Sequence, residues 1–169
     1  ATLPSGSVRF VIARILSRFG VSFVDFPAGA SRKEIDKVLA SAQKMAKKKG
    51  GKVALVYLES PANPTNALVD VEAVRAARDA AFTGDQKPAI AIDNTFLGPL
   101  WQQPIKQGAE LVVYSLTKYA GGHSDLVAGG VCGEQALIDA IRPMRNTIGT
   151  ICDPNTAWML LRSLETLEL

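Results

Sequence analysis

The sequence predicts an α/β domain with a mostly parallel sheet flanked by helices. Short apolar runs alternate with helix-period segments along the chain, with strand, loop, helix and strand at regular spacing. The run 53–58 (VALVYL) is apolar at every position, as a strand covered on both faces of a parallel sheet is. Polar residues close several runs: Asp25, Glu59, Asn63, Asp93, Ser115, Thr117 and Lys118. Parallel sheets keep their chemistry at the carboxyl ends of their strands.

Segment 7–19 (SVRFVIARILSRF) puts Val8, Ile12, Ile15, Leu16 and Phe19 on one face, which predicts an amphipathic helix that Gly20 ends. A short strand is expected at 21–24 (VSFV), with Asp25 at its end. Ser31 caps a helix through about Lys49, and Glu34 three residues on completes a capping box. Ile35, Val38 and Leu39 supply its buried face. After the strand at 53–58, the segment 59–66 (ESPANPTN) is a loop rich in proline and asparagine. Asp70 opens a helix over 71–81, and 83–87 (TGDQK) is a polar turn. Strands follow at 89–92, running into Asp93, at 111–113 and at 127–131 (VAGGV). Helices over 136–144 and 155–167 complete the pattern. There is no internal repeat.

A chain of 169 residues suffices for one domain with its own core. The formal net charge of +3 owes much to one block, 44–52 (KMAKKKGGK). That block reads as a solvated helix end rather than a nucleic-acid patch, because its charge is local and no aromatics are interleaved. No run is long and apolar enough to span a bilayer. The opening ATLPSGSVRF lacks the basic region and apolar core of a signal peptide, so a cytoplasmic location is expected. Cys132, Cys152 and the single histidine make no Cys/His zinc pattern, and buried free thiols are the expectation. Trp101 and Trp158 are expected in the core. No G-x-G-x-x-G or Walker-type loop follows a strand, which argues against a nucleotide-binding domain.

The most informative stretch is 112–130 (VVYSLTKYAGGHSDLVAGG), where Lys118 lies between two apolar runs. A lysine amine that attacks a carbonyl must be partly neutral, which calls for low dielectric or a cationic neighbour. Burial beside a bound cofactor would supply the low dielectric. Asp93, at the end of a neighbouring strand, would need a cation. A protonated pyridine nitrogen is one, and enzymes using pyridoxal 5'-phosphate (PLP) pair it with a carboxylate. Ser115 and Thr117 add hydroxyls suited to a phosphate oxygen. The plainer readings stand beside this one. Lys118 can be a solvent-exposed lysine, Asp93 a turn residue before Asn94 and Thr95, and the Ser-Leu-Thr triplet a simple cap.

The segments AIDNTFLGPL and VVYSLTKYAGGHSDLVAGG resemble the Cys/Met-metabolism PLP enzymes, the group of cystathionine γ-synthase, cystathionine γ-lyase and methionine γ-lyase. YLESPANPT at 57–65 and GTICDPNTAWMLLRSLETLEL at 149–169 resemble the same family, in the same order. The resemblance implies a fold-type I PLP-dependent transferase large domain, incomplete here. An N-terminal segment with a phosphate cradle and a smaller C-terminal domain with a carboxylate-binding arginine are expected outside the chain. It further implies that Lys118 bonds to the cofactor aldehyde and that Asp93 partners the pyridine nitrogen. Ser115 and Thr117 then hold the phosphate, and Asn63 lies near the phenolic oxygen. Glu59 matches an acid that positions the loop. His123, within GGHSD, is expected to be structural. The family's ring-stacking aromatic would fall near Leu3 to Ser7, where the chain reads LPSGS.

The implied activity is γ-elimination or γ-replacement on sulfur amino acids or activated homoserine, of the transsulfuration type, with methionine γ-lyase as the alternative. A non-catalytic scaffold of the same fold is the further alternative. The expected partners are a small amino-acid substrate and further copies in a homodimer or homotetramer, with no nucleic acid and no membrane. The chain by itself is expected to be inactive.

Overall fold

The computed structural model describes residues 6–168. In chain order it forms α1 (Gly6–Phe10), α2 (Arg32–Lys48), β1 (Leu55–Glu59), α3 (Val71–Ala81), β2 (Ala89–Asp93), α4 (Gly98–Trp101) and α5 (Pro104–Gln107). β3 (Leu111–Ser115), β4 (Gly129–Gly133), α6 (Gln135–Ile148) and α7 (Pro154–Leu164) follow. The strands make one sheet in the order β1-β2-β3-β4. The first three are parallel, and β4 runs antiparallel to β3.

Register explains the core. Val56 pairs with Ile90, and Leu58 lines up with Ile92 and Val112 across three strands. Side chains alternate across a strand, so these five share one face, and all are buried. They meet Ile35 and Leu39 from α2 and Val71, Val74 and Ala77 from α3 in one apolar cluster. Burying each of the larger side chains contributes about 1.5–3 kcal/mol.

Both helices start where the sequence places them. Ser31 caps α2, and its N–H donates to Glu34 Oε2 at 2.8 Å in a reciprocal capping box. Those bonds from Ser31 hold the Glu34 carboxyl below its usual range. Asp70 Oδ1 accepts from Ala73 N–H at 2.9 Å and opens α3.

Several expectations give way. Segment 21–24 forms no strand. It runs as extended chain outside the sheet, anchored by Arg9, whose guanidinium meets Asp25 at 2.7 Å and lies over Phe23. Asp25 therefore closes no strand. β1 begins two residues later than expected and is not buried on both faces. It is the sheet's edge strand, and Leu55 is 48% exposed. The helix expected over 7–19 changes pitch, from α1 to a π-turn at Val11–Ile15 and a 3₁₀-turn at Leu16–Phe19. Ile15, Leu16 and Phe19 of its apolar stripe are exposed, while Val8 and Ile12 are half-buried. The last strand is shifted to 129–133 and reverses direction. α4 and α5, too short to give a periodic signal, were not foreseen.

The two cysteines are exposed rather than buried. Trp101 and Trp158 are 82% and 64% exposed, not core. Each lies on a helix whose outward face no described residue covers. Among the described residues no helix is long and apolar enough to cross a membrane.

Candidate active site

Three parallel strands end side by side in polar groups. Glu59 at the end of β1 pairs in register with Asp93 at the end of β2, which pairs with Val113 of β3. β3 runs two residues further, to Ser115, and the chain then turns through Lys118. Glu59 and Asp93 thus occupy one edge of the sheet with Ser115 beside them, at the carboxyl ends where a parallel sheet exposes its site.

Thr95 ties these groups together. Asp93 Oδ1 accepts from Thr95 N–H at 3.0 Å and from the Thr95 hydroxyl at 2.5 Å. Thr95 Oγ1 in turn accepts from Ser115 N–H at 2.8 Å. The turn reading of Asp93 and its reading as a site carboxylate therefore coexist. The turn fixes where the carboxylate points. Behind it, Asn94 is fully buried, and its amide donates to the carbonyls of Gly98 and Gln102 and to the Tyr114 hydroxyl.

Tyr57 adds a group that sequence reasoning missed. It lies on β1 two residues before Glu59, so it points to the same face as Asp93 on the neighbouring strand. Burial raises the phenol's pKa above its ordinary value, and the charges of Asp93 and Glu59 push it the same way. Its signal was the alternation itself, counted back from Glu59. Thr95 was equally legible as the third residue of an Asp-x-Thr turn, the turn reading that stands beside the site reading of Asp93.

Lys118 sits in the turn after β3. Its N–H donates to Ser115 O at 3.0 Å, and its carbonyl accepts from Gly122 N–H at 2.8 Å. The side chain is exposed, not buried. It lines a cavity of about 510 Å³ with Phe96, Thr117, Tyr119, Leu126 and Val127. Low dielectric around the amine thus depends on what fills that cavity. Gly121 lets the turn close: a Cβ there would lie 2.6 Å from Leu116 O.

The other expected residues fall as follows. The Ser115 hydroxyl makes no hydrogen bond among the described residues. The Thr117 hydroxyl donates to Ala128 O at 3.1 Å and accepts from Ala128 N–H at 3.0 Å, which pins the lysine turn to the chain entering β4. Glu59 is buried, and its Oε1 accepts from Asn63 N–H at 3.0 Å. It holds the loop, while the Asn63 side chain is exposed. His123 Nδ1 lies 2.8 Å from Gly121 O and 3.4 Å from the hydroxyl of Ser163 on α7, a structural setting. Positions 1–5, where the ring-stacking group was sought, lie outside the described residues, as does the side chain of Ser7.

The donor set matches a cofactor that carries an aldehyde, a basic ring nitrogen and a phosphate. The amine, the fixed carboxylate and the uncommitted hydroxyl stand at one sheet edge beside a cavity. The family model for Cys/Met metabolism PLP-dependent enzymes matches residues 6–169. The chain belongs to that family. It is 40% identical over 118 residues to cystathionine gamma-synthase 1, chloroplastic, of Arabidopsis thaliana, a match covering 70% of this chain and 20% of the relative. It is 39% identical over 158 residues to an L-methionine gamma-lyase of Fusobacterium nucleatum subsp. polymorphum, covering 91% of this chain and 36% of the relative. The crystal structure of apo CalE6, a methionine gamma lyase from Micromonospora echinospora, matches with a TM-score of 0.82 at 29% identity. That match covers 99% of this chain and 42% of the other. The chain therefore spans well under half the length of these relatives.

Proposed function

We propose that this chain supplies the lysine-and-carboxylate part of a PLP site. The whole protein then carries out γ-elimination or γ-replacement on a sulfur amino acid or activated homoserine. Asp93 and Lys118 carry this reading. They stand at the ends of adjacent parallel strands, joined through Thr95 and the backbone of Ser115. When bound, PLP supplies an electron sink for the carbanion formed at the substrate α-carbon.

The residues divide the remaining work. The Lys118 amine would hold the cofactor and, once free of it, would take the substrate α-proton on Nζ. The Asp93 carboxylate, fixed by Thr95, would face the ring nitrogen and favour its protonated form. The Ser115 hydroxyl would donate to the phosphate, and Thr117 could join it only by giving up its bond to Ala128. Glu59 holds the loop that presents the Asn63 amide toward the phenolic oxygen. With Lys118 exposed, the chain by itself leaves the amine in water and turns substrate over slowly or not at all. Assembly into a homodimer or homotetramer belongs to the same reading, since Phe19, Trp101 and Val127 are exposed apolar groups that a neighbouring subunit would cover.

Methionine γ-elimination is the alternative reaction, supported by the Fusobacterium nucleatum relative. A non-catalytic scaffold is a second reading, favoured by the exposed amine of Lys118 and the engaged hydroxyl of Thr117. Borohydride trapping separates them. The chain is incubated with PLP, reduced, digested and searched by mass spectrometry for a phosphopyridoxyl group. The expected result is selective labelling of Lys118, weakened in Asp93→Ala and absent in Lys118→Ala. Labels spread over Lys47, Lys48, Lys49 and other surface lysines would sink the PLP reading and favour the scaffold.

A further inference from the structure

We propose that Tyr57 is a positioning residue for Asp93: its phenol holds the carboxylate from the β1 side, as Thr95 holds it from the β2 side. The proposal rests on the reading of Asp93 as the carboxylate that faces the cofactor ring. Register brings the two side chains together. Glu59 is paired with Asp93, and Tyr57 lies two residues back on the same face, the diagonal neighbour that an aromatic side chain reaches. The phenol is half-buried among apolar strand residues, where a hydroxyl needs a partner. Asp93 is the acceptor that register puts within reach across the strand pair, and burial with the nearby charges of Asp93 and Glu59 raises the phenol's pKa.

The chemistry is one of sharing. Thr95 gives the carboxylate two donors, both on Oδ1. A phenol donating as well spreads the negative charge and fixes the plane of the carboxyl group. A pyridinium brought to that carboxylate would meet an acceptor of set direction. Without the phenol, Asp93 keeps its place in the Thr95 turn but loses the constraint from the neighbouring strand.

Two measurements on the full chain test this. The first uses no cofactor: the phenols are titrated by their near-ultraviolet phenolate absorbance in the chain, in Asp93→Asn and in Tyr57→Phe. Of the three tyrosines, the one lost in Tyr57→Phe is expected to ionise last. Asp93→Asn is expected to bring its ionisation to lower pH, only part of the way because burial remains. An Asp93→Asn curve that superimposes on the parent curve would overturn the proposal. The second measures PLP binding by visible absorbance. Tyr57→Phe, which keeps the ring and its packing, is expected to bind PLP about three- to ten-fold more weakly, with Lys118 still the labelled lysine. Unchanged affinity in Tyr57→Phe would sink the role of Tyr57 and leave the PLP reading standing. Failure of the parent chain to bind PLP at all would sink both.

Discussion

The two ends of the sheet handle charge in opposite ways. At the amino end, the Arg78 guanidinium of α3 is buried. It donates to Pro88 O at 3.0 Å and to Glu110 Oε1 at 2.7 Å, and it meets Asp79 at 2.9 Å. The other Glu110 oxygen accepts from Ile90 N–H at 2.6 Å. The charges there are directed inward, at each other and at the backbone that begins β2 and β3. At the carboxyl end, Asp93 is held by neutral donors, and Lys118 projects into an open cavity. Burying a charge is costly unless it is paired. An end that satisfies its charges internally is therefore structural. An end that fixes a carboxylate with neutral groups and leaves an amine free is prepared for something else.

Breaking each end should separate these roles, and the largest effect belongs to the amino end. Arg78→Ala removes the cation shared by Glu110, Asp79 and Pro88 O. It is expected to destabilise the chain by about 3–5 kcal/mol, because the largely buried Glu110 carboxylate and the buried Pro88 carbonyl lose their shared donor. That is a large share of the roughly 5–15 kcal/mol that holds a typical domain together. Urea denaturation monitored by circular dichroism checks it. Gly121→Ala comes next: its Cβ would press on Leu116 O in the lysine turn, at a cost of about 1–3 kcal/mol by overpacking. Lys118→Ala should change stability by no more than about 0.5 kcal/mol, as at other exposed sites, while abolishing covalent trapping of PLP. A Lys118→Ala chain as unstable as Arg78→Ala would erase the distinction between the two ends.

The starts and buried faces of α2 and α3 were legible in sequence because local rules govern them, whereas the pairing of Arg78 with Glu110, 32 residues away, was not. Ser31 and Glu34, Asp70 and the apolar spacing of α2 and α3 act within a few residues, and the structure keeps each of them. Leu55 and the stripe from Ile15 to Phe19 were misjudged because apolar spacing says that a face seeks cover, not that cover is present. Segment 21–24 has strand-like composition, but no strand edge receives it. At the site, Glu59, Asp93, Ser115 and Lys118 were legible as residues ending strands. Tyr57 was not, because its contact with Asp93 depends on which strand lies beside β2 and in what register. The bond from Thr117 to Ala128 was hidden for the same reason, since it depends on the reversed direction of β4.

The smallest expected effect tests the clasp between the lysine turn and α7. Arg162 donates to Asp125 Oδ2 at 2.7 Å, and this hydrogen bond, with the guanidinium charge, holds the Asp125 carboxyl below its usual range. A carboxyl depressed in the folded state binds fewer protons there than in the unfolded chain. Its contribution is therefore complete above the unfolded value, near pH 4, and is lost as the pH falls through the lower folded value. Both partners are solvent-accessible, so the contribution is small and screened by salt. Asp125→Asn keeps the shape and removes the titration. Unfolding midpoints of the parent and of Asp125→Asn should differ above about pH 5 and converge as the pH falls below the ordinary carboxylate value. Added salt should narrow the gap at the higher pH. An offset that stays constant across that range would mean that Asp125 acts through packing alone. The turn carrying Lys118 would then be tied to α7 by His123 and Ser163 rather than by charge.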